Sequence, residues 1–404
     1  MVIWLFACQI IRKSNAKSTN NQISKSTILE NRMKKLVLTL CVLAVTATTT
    51  LRAQAEQEVN PIITAVPSLS ITPDARAGGM GDVGVATRPD IFSQHWNPAK
   101  YAFAESPVGF GFSYTPWLRQ LVDDIGLFYM AGYWRLDDFQ AFSASVRYFS
   151  LGTIRMMQHA TDPGIEARPN EFAIDIAYSR RLSEHLSASV AFRYIRSDLN
   201  VPYQVGNLPM YPANAFAVDV SAFYTRPITM ASGDGILSFG TNISNIGNRV
   251  TYDLEQYNFL PTNWRLGGSF EMPFDNFNRL SISADANKLL VVSRNGRFAE
   301  DFNDMSVLSS ILGSFSDGNF GQRIMWSVGA EYAYNQQFFV RAGYFHEHQI
   351  QGGRRFFTAG AGFRLNVFQL DAAYVIATTP MSPLNSTLRF SLSFDVDGLR
   401  ALLN

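Results

Sequence analysis

From residue 107 to residue 395 the chain repeats one unit: a stretch of about ten to fourteen residues that alternates apolar and polar side chains, a turn, and another such stretch. Residues 388–395 show the pattern: Leu388, Phe390, Leu392 and Phe394 share one face, and Arg389, Ser391, Ser393 and Asp395 share the other. A period of two is that of a β-strand. These stretches outrun the five or six residues usual in soluble sheets and match the roughly ten tilted residues that cross a bilayer. Lipid offers no partner to backbone N–H and C=O groups, so a sheet within it has to close. The rhythm therefore points to an outer-membrane barrel, with a large soluble sandwich or propeller as the competing architecture. The 31 Phe and 16 Tyr suit the aromatic girdles that such barrels present to lipid.

Counting gives fourteen strands, at about 107–117, 124–135, 139–152, 170–182, 185–197, 214–227, 236–245, 263–273, 279–289, 322–334, 337–347, 355–365, 367–378 and 386–396. Connections alternate in length. One set is tight, with 229–235 as its longer member; the other includes 153–169, 198–213, 246–262 and 290–321. The expected fold is all-β: a 14-stranded antiparallel transmembrane β-barrel over 107–397, with an N-terminal segment, 56–106, plugging the lumen. Short turns belong to the periplasmic side and long loops to the cell surface. An even strand count then places both termini, including a tail at 398–404, in the periplasm. The alternation also assigns faces. Phe142, Ile176, Phe192, Val220, Trp326 and Leu370 face lipid, while Arg147, Asp175, Arg193, Asp219, Glu331 and Asp371 face inward. Inward charges of both signs fit either a network of lumen ion pairs or a selective polar channel.

The first 55 residues read as transient. Met33 precedes Lys34 and Lys35, an apolar run at 36–45 and Ala53-Gln54-Ala55, the layout of a secretory signal. Residues 1–32 are then an upstream extension. Cleavage after Ala55 removes eight of the 34 Lys and Arg and one of the 33 acids, leaving a net charge of −6. That balance gives no reason to expect a nucleic-acid partner. Both cysteines, Cys8 and Cys41, leave as well, so the exported chain carries no thiol.

Residues 56–106 do not alternate. They contain Ala77-Gly78-Gly79-Met80-Gly81-Asp82-Val83-Gly84 and, further on, Gln94-His95-Trp96-Asn97-Pro98-Ala99. Gly79-x-Gly81-x-x-Gly84 matches a dinucleotide fingerprint on paper, but no βαβ unit surrounds it. Close backbone packing within a crowded lumen is the better account of these glycines. Together with Ser70-Ile71-Thr72-Pro73-Asp74 and Trp117-Leu118-Arg119, these motifs resemble the FadL-type outer-membrane barrels and, among them, the PorV (LptO) family of the Bacteroidota type IX secretion system. The resemblance extends over the whole mature chain in length and layout. It implies a plug built around Gly79, Gly81, Trp96, Asn97 and Pro98. It also implies an adaptor, not an enzyme. Its partners would be the translocon (SprA, or Sov), cargo proteins with C-terminal signal domains, the sortase PorU with its attachment complex, and membrane lipid.

No constellation in the sequence makes an enzyme, cofactor or metal site. There is no Gly-x-Ser-x-Gly elbow. His346 and His348 would point the same way on one strand, but no third ligand accompanies them. A channel for hydrophobic small molecules and an outer-membrane acyl hydrolase are the alternative functions. The long loops are the stronger candidates for recognition. Met156 and Met157, then Tyr203, Leu208, Met210 and Tyr211, then Leu308, Leu312 and Phe315 are apolar residues of the contact-forming type placed where water would otherwise meet them. The last three sit in a stretch that reads as a short amphipathic helix.

Overall fold

The structure, a computed structural model, describes residues 59–117, 124–156, 165–199, 211–230, 233–253, 255–295, 298, 301–318, 320–365, 368–379 and 384–395. The expected signal and the tail at 398–404 lie outside the described residues. The barrel strands are β1 (Val108–Pro116), β2 (Gly126–Arg135), β3 (Gln140–Ser150), β6 (Asn170–Arg181), β7 (Leu186–Asp198), β8 (Ala213–Met230), β9 (Gly233–Gly247), β10 (Asn263–Pro273), β11 (Asn278–Leu289), β12 (Ile324–Tyr334), β13 (Phe338–His346), β14 (Arg355–Arg364), β15 (Phe368–Ala377) and β16 (Leu388–Asp395). Two short strands, β4 (Ile154–Met156) and β5 (Ile165–Ala167), pair only with each other. The fourteen barrel strands are antiparallel neighbours in chain order, and β1 closes on β16 from Gly109↔Asp395 to Tyr114↔Phe390.

All the expected strands are present and keep their expected faces. Ile176 is 58% exposed on the outer wall, and its neighbour Asp175 is 5% exposed inside. The tight turns have local causes. In the β12–β13 turn Asn335 and Gln336 both take positive φ, 52° and 53°, as in a type I′ turn, and the Gln337 N–H donates to the Tyr334 carbonyl at 3.0 Å. In the β10–β11 turn Asp275 accepts hydrogen bonds from the backbone N–H groups of Phe277 and Asn278, each at 2.7 Å.

One local reading needs correction. The stretch 229–235 is not a loop: β8 and β9 stay paired to Met230↔Gly233. Pro227 and the Gly-rich run that follows resemble a strand end, but the fixed φ of proline is compatible with extended backbone. Strand β9 also bulges. Ser244 and Asn245 together oppose Asp219, and Asn245 adopts a φ of 62°. Such a bulge re-aims a side chain, and here the Asn245 amide turns toward the lumen. An Ile176→Arg substitution, in the middle of β6 on the lipid face, should lower unfolding stability by about 2–4 kcal/mol. Urea titration of protein refolded into lipid vesicles measures it.

Candidate functional site: a filled lumen beneath long loops

The described chain begins at the long-loop end. Asn60 donates its N–H to the Ile350 carbonyl at 2.9 Å, and Ser293 Oγ donates to Asn60 Oδ1 at 2.7 Å. From there the segment descends through the lumen to Ser106, which hydrogen-bonds Asp395 at the short-turn end. The barrel strands thus begin and end at the short-turn end while Asn60 stands among the long loops; the chain termini themselves lie outside the described residues.

Polar wall side chains hold this segment at every level. Near the loops, Arg147 donates to the carbonyls of Ser68 and Ile71 at 2.7 and 3.0 Å, and Glu171 accepts the Ser68 N–H at 3.1 Å. Helix α1 (Ala75–Gly78) is capped by Asp74, whose carboxylate accepts the Ala77 N–H at 2.8 Å and the Trp96 indole N–H at 2.7 Å. The Arg76 fork grips Glu331 at 2.9 and 3.1 Å and reaches Asp90 at 2.8 Å. Arg341, fully buried, bridges Glu331 and Asp371 at 2.6 Å each. Asp285 receives the Gly84 and Val85 N–H groups at 2.8 and 3.0 Å. Arg193 joins Asp175, Asp219 and Asn245 across three strands. Buried charges in such a network are stable only when each is paired.

The glycines fit by contact with the wall. Gly81 has a φ of 73°, and a Cβ there would lie 2.7 Å from the Tyr344 nitrogen. Across from it, a Cβ on Gly343 of β13 would lie 2.1 Å from the Met80 carbonyl carbon. Gly240, Gly329 and Gly360 likewise face the backbone of residues 79–85, so the wall forms a trough for this run. Asn97 caps the following turn by accepting from Ala99 at 3.1 Å, while its amide donates to the carbonyls of Val85 and Ala222. Ser179 donates to the Pro98 carbonyl at 2.8 Å, and Asn242 donates at 2.9 Å to that of Trp96, the last residue of helix α2 (Ser93–Trp96). What surrounds Asn97 and Pro98 is therefore polar, not the apolar pocket that a hydrophobic-ligand channel needs. Burial pushes the Lys100 ammonium down to about 8 even though it donates to Gly84 O at 2.8 Å. Toward the short-turn end, a cavity of 320 Å³ lies among Arg88, Glu271, Arg279, Phe339, Arg364 and Asp371. Apolar side chains, among them Ile91, Phe103, Phe223, Ile236 and Phe394, line it together with these.

Gly79 and Gly81 thus lie against β13 and β14, whereas Trp96, Asn97 and Pro98 meet β9, β8 and β6. Sequence reasoning did not find Arg76, Asp285, Arg341 or the wall glycines. A glycine at an inward phase of the alternation was the available signal. Of the loop residues, Met157, Tyr203, Leu208 and Met210 lie outside the described residues, and Met156 belongs to β4. Tyr211 is 47% exposed and donates its N–H to the Tyr252 carbonyl at 2.8 Å. Leu308, Leu312 and Phe315 are exposed on another loop. His346 and His348 do not share a strand: β13 ends at His346, whose ring stacks on Trp326 at 4.9 Å, and His348 caps the next turn. Among the described residues no group of three or more His, Cys, Asp or Glu could hold a metal ion.

Residues 53–295 match the family model of the type IX secretion system protein PorV. The chain belongs to the PorV family. It is accordingly a type IX secretion protein of the outer membrane. One solved structure shares its fold at a TM-score of 0.50, and others resemble it more distantly. The TodX deltaS2S3 mutant, a monoaromatic hydrocarbon channel, is 12% identical, with 80% of this chain and 98% of that one covered at a TM-score of 0.50. The Pseudomonas putida toluene transporter TodX is 12% identical, covering 79% and 96% at 0.47. A Pseudomonas aeruginosa FadL homologue is also 12% identical, covering 83% and 100% at 0.45. No curated protein matches the chain.

Two outcomes test the plug of this PorV-family barrel. Glu331→Ala takes one of two carboxylate partners from each of Arg76 and Arg341, which keep Asp90 and Asp371, and should cost about 1–3 kcal/mol, read as a lower urea midpoint. The second concerns pH. Lys100 binds its proton more weakly when folded (about 8) than when unfolded (10.5), so between these values the unfolded chain holds more protons and stability rises with pH. Raising the pH from about 7 to about 10 should therefore raise the unfolding midpoint of the native chain relative to Lys100→Met.

Proposed function

We propose that this protein is a non-enzymatic shuttle of the type IX system. It binds the C-terminal signal domains of cargo leaving the translocon (SprA, or Sov) and delivers them to the surface attachment complex with the sortase PorU. Residues 1–55 are removed on export, the long loops face the cell surface, and the barrel strands begin and end on the periplasmic side. The observation that carries this reading, beside family membership, is the lumen itself. Bonds to the wall from Ser68 to Ser106 leave no open passage for a protein, so recognition falls to the loops that the barrel holds up. Tyr211, on one of these loops, is the described residue best placed to meet cargo, and Met156, Met157, Tyr203, Leu208 and Met210 complete that candidate surface.

Deletion of the gene should leave cargo unprocessed and unattached while the outer membrane stays intact. Normal surface attachment in the deletion strain overturns the proposal. Membranes solubilised in mild detergent should yield the protein with a very large barrel protein or with cargo. Bound fatty acid instead, with uptake lost on deletion, marks a small-molecule channel.

A further inference from the structure

At the long-loop ends of β10, β11 and β12, Trp264, Lys288 and Ile324 stand side by side in register. They belong to the outer face: Trp264 alternates with the buried Asn263 and Arg265, and Leu266, next on its face, is 43% exposed to the membrane side. The connection between β11 and β12 rests on this part of the outer wall. The Phe315 ring lies 6.2 Å from Trp264, and Phe320 stacks on Phe315 at 6.1 Å. Lys288 Nζ sits 5.7 and 5.4 Å from these two rings and donates to the Ser314 carbonyl at 3.0 Å. The lysine is consumed locally, and two aromatic rings cover it.

Helix α3 (Val307–Gly313) belongs to the same connection. Its inner side is settled: Ser310 is buried, its Oγ accepts the Val292 N–H at 3.3 Å, and Val307 packs against a cluster containing Phe259, Val291, Val292 and Phe302. Its other side is bare. Leu308 and Leu312 are 66% and 64% exposed, and Phe315 follows at the i+7 position. Residues 305–316 contain no Asp, Glu, Lys or Arg. An apolar stripe of this kind does not stand free in water. Its last member touches Trp264, a residue of the lipid-facing wall, so the stripe is continuous with the surface that already meets acyl chains.

We propose that α3 and the Phe315 and Phe320 rings lie in the interfacial layer of the outer leaflet, with Leu308 and Leu312 set into lipid. Amphipathic helices set Leu and Phe on one face into this headgroup boundary, where aromatic rings also collect. The proposal goes beyond the adaptor reading: it moves Leu308, Leu312 and Phe315 from the set of cargo contacts to the set of membrane contacts and leaves Tyr211 among the former. It depends on the barrel lying in a bilayer, not on cargo binding.

The test uses the full chain with Cys8 and Cys41 replaced by Ser, reconstituted in phosphatidylethanolamine–phosphatidylglycerol vesicles, with nitroxide labels at Leu308→Cys or Leu312→Cys. The expected result is strong relaxation by oxygen and loss of access to the polar reagent NiEDDA, matching a control label at lipid-facing Val328→Cys. NiEDDA access equal to that of a label at Tyr211→Cys places the stripe in water and overturns the proposal, leaving a protein partner as its cover. Protection from both reagents shows the loop covering itself and overturns it equally. Heat-modifiable gel mobility reports that each labelled barrel is folded. Secretion is not the readout, so failure here leaves the shuttle reading standing, and failure of that reading leaves this one standing.

Discussion

The pairing of β1 with β16 is the constraint on which the rest of this molecule depends. A sheet in lipid with an open edge would leave a row of N–H and C=O groups without partners, each at a cost of several kcal/mol. Closure removes that edge and in doing so divides every strand in two. Alternate side chains must suit hydrocarbon, and the others must suit one another in a confined interior. The outer wall of Phe, Tyr, Val and Ile follows from the first demand. The second is harder, because the inward set includes Arg147, Arg193, Arg265, Arg341 and Arg389 together with Asp175, Asp219, Asp285, Glu331 and Asp371.

The N-terminal segment answers that second demand. Its backbone supplies acceptors to Arg147 and Arg265 and donors to Asp285, groups the wall alone would leave short of partners. Its own Arg76 and Asp82 complete ion pairs with Glu331 and Arg389. The wall in turn gives up side chains where the segment comes close, which is the role of Gly240, Gly329, Gly343 and Gly360. Barrel and segment thus form one polar interior whose parts are each incomplete alone. This is the physical difference between a filled barrel and a pore of the same size.

Much of this was legible in the chain, because the alternation that specifies a strand is local and survives without its neighbours. Leu388 through Asp395 declare strand and face within eight letters. What failed to read was non-local or depended on backbone φ. Nothing near Arg76 announces Glu331, which lies 255 positions away. The bulge at Asn245 shows only once β8 and β9 are paired. His346 and His348 look like one strand until the backbone turns between them, and residues 229–235 look like a loop until Met230 meets Gly233. The Gly and Asn-Pro-Ala motifs marked the packed segment, but they could not say at which end of the barrel it starts.

That starting point has a consequence for how the molecule is made. The segment enters among the long loops at Asn60 and leaves at Ser106, directly ahead of β1, and the seam that encloses it is completed by β16, the last strand of the chain. The segment is hydrogen-bonded to both strands of that seam, Ser113 of β1 donating to the Pro73 carbonyl and Ser391 of β16 accepting from the Ala75 N–H. The first-synthesised part of the barrel unit therefore has to be laid in place while the sheet is still an open ribbon, and zipping of the seam becomes the step that commits the fold.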